Sequence, residues 1–212
     1  MELQEHDPDA SRRPIRARGN IFVQRIAATL ARSPLTPNAI SVLSIVFAAA
    51  GAAALLWLPA WGAWLCALGI QLRLLCNLFD GMVAVEGGKS TATGALYNEV
   101  PDRVADSLLL VALGYAAGLP WAGWLAALLA ASTAYIRTLG GALGQAQDFR
   151  GPMAKQHRMA LMTLACVVAP LEAMSAGSRH ALVVAVAVIA LGSLLTCAAR
   201  LRAVGRRLER AS

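Results

Sequence analysis

Between Arg73 and Asp106 the chain reads RLLCNLFDGMVAVEGGKSTATGALYNEVPDRVAD. Asn77 and Asp80 are three residues apart, so on a helix they share a face. Gly81 removes a side chain beside Asp80, and Ala84 keeps the same stripe small. Gly94, Asn98, Asp102 and Asp106 recur every four residues and line one face of the next helix. Glu86-Gly87-Gly88-Lys89 forms a short polar turn between the two helices, which predicts antiparallel neighbours. Facing stripes would gather Asn77, Asp80, Asn98 and Asp102. Carboxylate and amide oxygens from two helices suit a hard divalent cation such as Mg²⁺ or Mn²⁺. The competing reading is a helix-packing cluster, with Asp80 or Asp102 paired to Arg73 or Arg103. Packing alone needs neither the two amides nor the two glycines.

These polar residues sit in a very apolar chain. Of 212 residues, 58% are apolar and 15% charged, and the mean hydropathy is +0.57. A soluble domain carries about a quarter charged residues. A soluble enzyme is therefore excluded, and an all-α polytopic membrane protein is expected. Six apolar segments follow one another: Ile40 to Leu58, Trp61 to Leu78 and on towards Val85, one within Gly94 to Leu119, Pro120 to Leu139, Met159 to Ala173, and Ala181 to Ala199. Each is close to the roughly 20 residues that cross a bilayer as a helix. The fifth is the shortest and needs the polar stretch before it. Asn20 to Arg32 differs: Ile21, Phe22, Ile26 and Leu30 recur at helical spacing, which predicts a short amphipathic helix in the membrane interface, ended by Ser33-Pro34. The expected fold is six transmembrane helices preceded by that interfacial helix. Ionisable groups inside such spans cost several kcal/mol and mark a site.

Charge and tryptophan orient the bundle. Net charge is +7. The turns at Leu58–Trp61 and Gly118–Pro120 carry no charge, and Pro170 to His180 carries one basic residue, Arg179. The other side holds Arg12, Arg13, Arg16, Arg18, Lys89, Arg150, Lys155, Arg158 and the arginines from Arg200 to Arg210. All five tryptophans (Trp57, Trp61, Trp64, Trp121, Trp124) fall at the uncharged turns, as an outer aromatic belt would. Both termini are thus expected in the cytosol, with residues 1–19 a mobile arm, 20–205 the membrane domain and 206–212 a basic tail. The basic residues are read as topology anchors, so no nucleic acid is expected as a partner. No signal peptide, phosphate-binding loop, haem motif or hydrolase elbow is legible. Cys66, Cys76, Cys166 and Cys197 lie in apolar runs without metal-ligand spacing. Gly114-x3-Gly118 and Gly140-x3-Gly144 are candidate close helix contacts.

The segment resembles the signature of the CDP-alcohol phosphatidyltransferase family, D-x2-D-G-x2-A-R-x8-G-x3-D-x3-D. Asn77 stands at the first Asp, Asp80 at the second, Gly81 at the Gly, Ala84 at the Ala and Val85 at the Arg. Gly94 stands at the second Gly, Asn98 at the third Asp and Asp102 at the fourth, without a gap. Upstream, Thr36-Pro37-Asn38-Ala39-Ile40-Ser41 resembles the family's T-P-N-x-[IL]-[ST] lead into its first span. The resemblance covers about residues 20 to 205. It implies transfer of a phosphatidyl or other phospho-alcohol group from a CDP-linked donor to an alcohol, with release of CMP, in phospholipid synthesis at the bacterial-type cytoplasmic (inner) membrane. It implies two divalent cations, Mg²⁺ or Mn²⁺, at Asn77, Asp80, Asn98 and Asp102, with Asp102 as base. Asn38, Gly81, Ala84, Lys89 and Gly94 would bind the donor, and Arg137, Lys155 and Arg158 would border the acceptor pocket. The membrane lipid is a further partner, and a homodimer is compatible.

Three positions depart from the pattern. Asn77 and Asn98 can ligate through oxygen but bring no charge, and Val85 cannot bind a phosphate. Glu86, Glu99, Asp106 and Lys89 are near enough in sequence to compensate, although Glu99 points to another helix face. Three readings stay open: one tight metal with a weak second, a changed substrate, or lost activity. Retained chemistry is favoured because Asp80 and Asp102 keep their register. A non-catalytic relative that binds a CDP-lipid and a small transporter are the alternatives. His157 is expected to face solvent.

Overall fold

The computed structural model describes residues 20–178 and 180–210. The expected N-terminal arm, Arg179 and the last two residues of the tail lie outside them. The described residues form seven helices and no strand: α1 (Ile21–Arg32), α2 (Pro37–Trp57), α3 (Gly62–Val85), α4 (Gly94–Ala116), α5 (Pro120–Ala142), α6 (Lys155–Ala176) and α7 (His180–Glu209). Five of them, α2, α3, α5, α6 and α7, are long and apolar enough to cross a membrane. The remaining long helix, α4, has 23 residues. Its first half carries Glu99, Asp102, Arg103 and Asp106, which lowers its hydropathy where the candidate site lies.

Local chemistry explains the boundaries. Asn20 caps α1 by accepting from the Phe22 N–H at 2.9 Å. Ala27 of α1 packs on Leu78 and Met82 of α3, whereas Ile21, Phe22 and Ile26 on its other side remain exposed. That division suits a helix lying at an interface. Thr36 caps α2 through the Ala39 N–H at 3.2 Å, and Pro37 occupies the first turn, where its missing N–H costs little. In α6 the polar residues Lys155 to Arg158 do complete the short fifth segment.

One expectation fails. Helices α3 and α4 are consecutive and antiparallel but scarcely touch. Instead α2 packs along both of them, α5 bridges α4 and α7, and α6 bridges α3 and α7. Small residues decide this arrangement. A Cβ on Gly69 of α3 would lie 2.8 Å from the Phe47 carbonyl oxygen of α2. A Cβ on Gly114 of α4 would lie 2.5 Å from the Gly123 Cα of α5. Backbones this close exclude any side chain at these positions. Of the two glycine pairs singled out in the sequence, only Gly114 makes such a backbone contact; Gly140 meets the Val204 side chain, and Gly118 and Gly144 turn the chain with φ of 73° and 76°. Replacing Gly114 by Leu is therefore expected to pry α4 from α5 and to cost about 1–3 kcal/mol or more. Gly205→Ala, which meets nothing within 4 Å, serves as the control. Thermal unfolding in detergent would show the first variant melting lower and the second unchanged.

The two ends of the bundle differ. Trp57 and Trp61 border the α2–α3 turn, Trp121 and Trp124 the α4–α5 turn, and all four are largely exposed. At the opposite end the links are polar and tied together. The Lys89 ammonium donates to the Ser33 and Leu35 carbonyls at 2.7 and 3.3 Å, closing the α3–α4 loop onto the α1–α2 link. Asp148, between α5 and α6, accepts from Arg150 at 2.7 Å and from Arg207 of α7 at 3.1 Å. The Arg150 guanidinium pushes the Asp148 carboxyl down to about 2. Its contribution to loop docking is present above the ordinary carboxylate range and is lost as pH falls through about 2.

Candidate active site

At this polar end the stripes of α3 and α4 face each other across a gap filled by side chains. Asp80 is buried; it accepts from the Ser41 hydroxyl of α2 and from its neighbour's Gly81 N–H, both at 2.5 Å. Asp102, also buried, gathers donors from two helices. The Asn77 amide donates to its Oδ1 at 2.7 Å, and the Lys155 ammonium at the start of α6 donates to its Oδ2. Arg73 stands 3.4 Å from Oδ1, and Arg103 stands 3.6 Å from Oδ2. Pro101 precedes Asp102 within α4, so one main-chain N–H is missing from the ladder beside the site.

A second layer lies one turn deeper. Asp106 accepts from Arg73 at 2.5 Å on one oxygen and from Arg158 at 3.0 Å on the other. All three side chains are at most 4% exposed. Arg158 also donates to the Met153 carbonyl at 2.8 Å, and Arg73 reaches the Met159 sulfur at 2.9 Å. The ion triad thus ties α4 to α3 and to α6, two helices its backbone scarcely touches.

The other residues read from the sequence are spread around this centre. Asn98 is exposed, one turn before Asp102. Glu99 turns away from the stripe and pairs with Arg103 at 3.3 Å and with Arg137 of α5. Arg137 also donates to Gln147 and lies over the Phe149 ring at 5.4 Å. Asn38 donates to the Thr93 hydroxyl at 3.4 Å, next to Gly94. A Cβ on Gly94 would meet only the Thr91 hydroxyl at 3.6 Å, so packing does not require that glycine. Gly81 and Ala84 are half-buried on the α3 stripe. Lys89 holds the loop carbonyls described above, and Val85 and Glu86 are exposed. His157 faces solvent, its Nδ1 3.0 Å from the Pro152 carbonyl oxygen.

The packing alternative is half realised: Asp102 does pair with Arg73 and Arg103, but Asp80 pairs with neither. Sequence reasoning did not foresee Ser41 as the partner of Asp80, although Ser41 ends the Thr36–Ser41 motif. It also did not foresee that Arg73 and Arg158 share Asp106. The available signal was three ionisable side chains placed deep in apolar helices.

The donor set decides what the site can hold. Two carboxylates, Asp80 and Asp102, with the Asn77 amide beside Asp102, suit one hard cation completed by substrate oxygens. They do not supply the ligand charge for a pair. Among the described residues no three His, Cys, Asp or Glu side chains come together.

No protein-family model matches the chain, and no curated protein does. Solved structures do. The chain is similar to the phosphatidylinositol phosphate synthase of Mycobacterium tuberculosis with CDP-DAG bound, at 24% identity and a TM-score of 0.71 over 86% of this chain and 93% of that one. The same enzyme in complex with manganese and citrate matches at 25% identity and a TM-score of 0.71, over 86% of this chain and 88% of that one. Its apo form matches at 25% identity and a TM-score of 0.68. With its signature spacing in register on α3 and α4, this chain carries the fold of a CDP-alcohol phosphatidyltransferase.

Proposed function

We propose that the chain is a membrane phosphotransferase that moves a phosphatidyl or related phospho-alcohol group from a CDP-linked lipid to a small alcohol. The observation that carries this reading is the placement of Asp80 and Asp102, in signature register, on facing helices at the polar end of a bundle that shares the synthase fold. A divalent cation bound there would neutralise the donor diphosphate and polarise the phosphorus under attack. Asp80, Asp102 and the oxygens of Asn77 and Asn98 would hold it. Ser41 and the Gly81 N–H hold the Asp80 carboxylate in one orientation.

The chain's own groups would carry the proton and the charge. The acceptor hydroxyl loses its proton to a carboxylate oxygen of Asp102 as its oxygen bonds to the donor's β-phosphorus. The bond from that phosphorus to the bridging oxygen breaks, and CMP leaves with the bonding electrons. Gly81, Ala84 and Gly94 leave room for the nucleotide, with Asn38 and Lys89 shaping the loop beside it. Arg137, paired with Glu99, and Lys155, paired with Asp102, face the acceptor side, and Arg158 lies buried on Asp106. Both termini and the site would face the cytosol of a bacterial-type inner membrane, because the basic residues collect at the site's end and the tryptophans at the other.

The test is CMP release by the purified protein in lipid nanodiscs, supplied with CDP-diacylglycerol, Mn²⁺ or Mg²⁺ and a panel of acceptors: glycerol phosphate, inositol phosphate, serine and inositol. Metal-dependent release with one acceptor is expected, and that acceptor names the product. Donor binding without release from any acceptor would replace the transferase reading with that of a non-catalytic relative.

A further inference from the structure

We infer that the Lys155 ammonium takes the place of a second metal ion, so that this chain works with one divalent cation and one built-in cation. The inference rests on the transferase reading. Its first support is contact: Lys155, one of two lysines in the chain, sits on Asp102, the last carboxylate of the signature. Its second support is the pattern of lost charge. Asn77 and Asn98 occupy the positions where two further carboxylates would balance a second divalent cation. Asn77 turns its amide N–H₂ towards Asp102, and Asn98 is exposed.

Charge balance points the same way. In the two layers Asp102 and Asp106 already meet Arg73, Arg103, Lys155 and Arg158, while Asp80 is held only by Ser41 and a main-chain N–H, so the three carboxylates bring no charge surplus over the fixed cations around them. Burying a divalent pair among them would leave a large uncompensated positive charge. One divalent cation is matched by the two negative charges of the CDP diphosphate, so cation and donor enter together. Lysine suits the role because its ammonium is a compact point charge on a flexible stem. From α6 it reaches the α4 carboxylate across a gap the backbones do not close.

The experiment counts Mn²⁺ by electron paramagnetic resonance on the full chain in nanodiscs containing CDP-diacylglycerol. The wild type is expected to bind one Mn²⁺ per chain, more weakly when the donor is left out. Asn77→Asp/Asn98→Asp/Lys155→Met rebuilds four carboxylates and removes the ammonium; it is expected to bind two. Lys155→Met alone is expected to keep one Mn²⁺ and lose about a hundredfold in CMP release, with Lys155→Arg recovering part. Two Mn²⁺ in the wild type, or none with donor present, would overturn the inference. The wild-type count needs no variant to fold. It is also independent of turnover: absent CMP release would remove the transferase reading, whereas only the count speaks to the cations.

Discussion

Asp102→Asn is expected to lower CMP release by about 10²–10⁴-fold, the range lost with a general base, while the protein still assembles in the membrane. The side chain is nearly isosteric, so the Asn77 contact and the packing of α4 on α2 and α5 can persist. What disappears is the anion that receives the acceptor proton and faces Lys155, Arg73 and Arg103. The cost in stability should be small beside the cost in rate. Arg73 keeps Asp106, Arg103 keeps Glu99, and the Lys155 side chain is 21% exposed and can turn to water. The measurement is turnover in nanodiscs beside the thermal midpoint of the same preparation. Turnover within threefold of wild type at a normal midpoint would remove Asp102 from the role of base. Turnover lost together with the midpoint would mean that Asp102 is a packing residue.

The spacing of Asn77, Asp80, Asn98 and Asp102 needed only helical periodicity, and both helices formed where apolar length and turn residues placed them. Which helices touch is another matter. A short connection makes α3 and α4 antiparallel, but it does not make them pack. That was decided by Gly51, Gly69, Gly114 and Gly123, whose close backbone approach draws α2 onto α3 and α5 onto α4. The gap that results is why long side chains matter here. Arg73 and Lys155 span distances that a stripe diagram of two touching helices does not contain. Lys89 shows the same limit from the other side. Proximity in sequence suggested a cation for the diphosphate, whereas its ammonium satisfies the Ser33 and Leu35 carbonyls at the end of the α1–α2 link. Carbonyls left open after a helix stop seek a donor, and the periodicity of a distant loop does not disclose which one they find.

Asp106→Ala is expected to give the largest loss of stability of any single substitution in the site, about 3–5 kcal/mol. The reason is asymmetry. Asp106 itself is one buried carboxylate, but its removal strands two guanidiniums whose side chains are 0% and 2% exposed. Arg73 would retain a 3.4 Å contact with Asp102 and the Met159 sulfur, and Arg158 the Met153 carbonyl. Neither set balances a full charge inside a membrane helix. The triad also joins α4 to α3 and α6, so the site should loosen before the bundle unfolds. Pairing the change with a compensating one separates charge from volume. Asp106→Ala/Arg158→Met removes one anion and one cation, leaves Arg73 beside Asp102, and is expected to recover more than half of the lost stability. The check is the unfolding midpoint of wild type, single and double variants in one detergent. Recovery in the double variant assigns the cost to uncompensated charge. A double variant no more stable than the single would assign it to the cavity left behind, and the triad would then be ordinary packing.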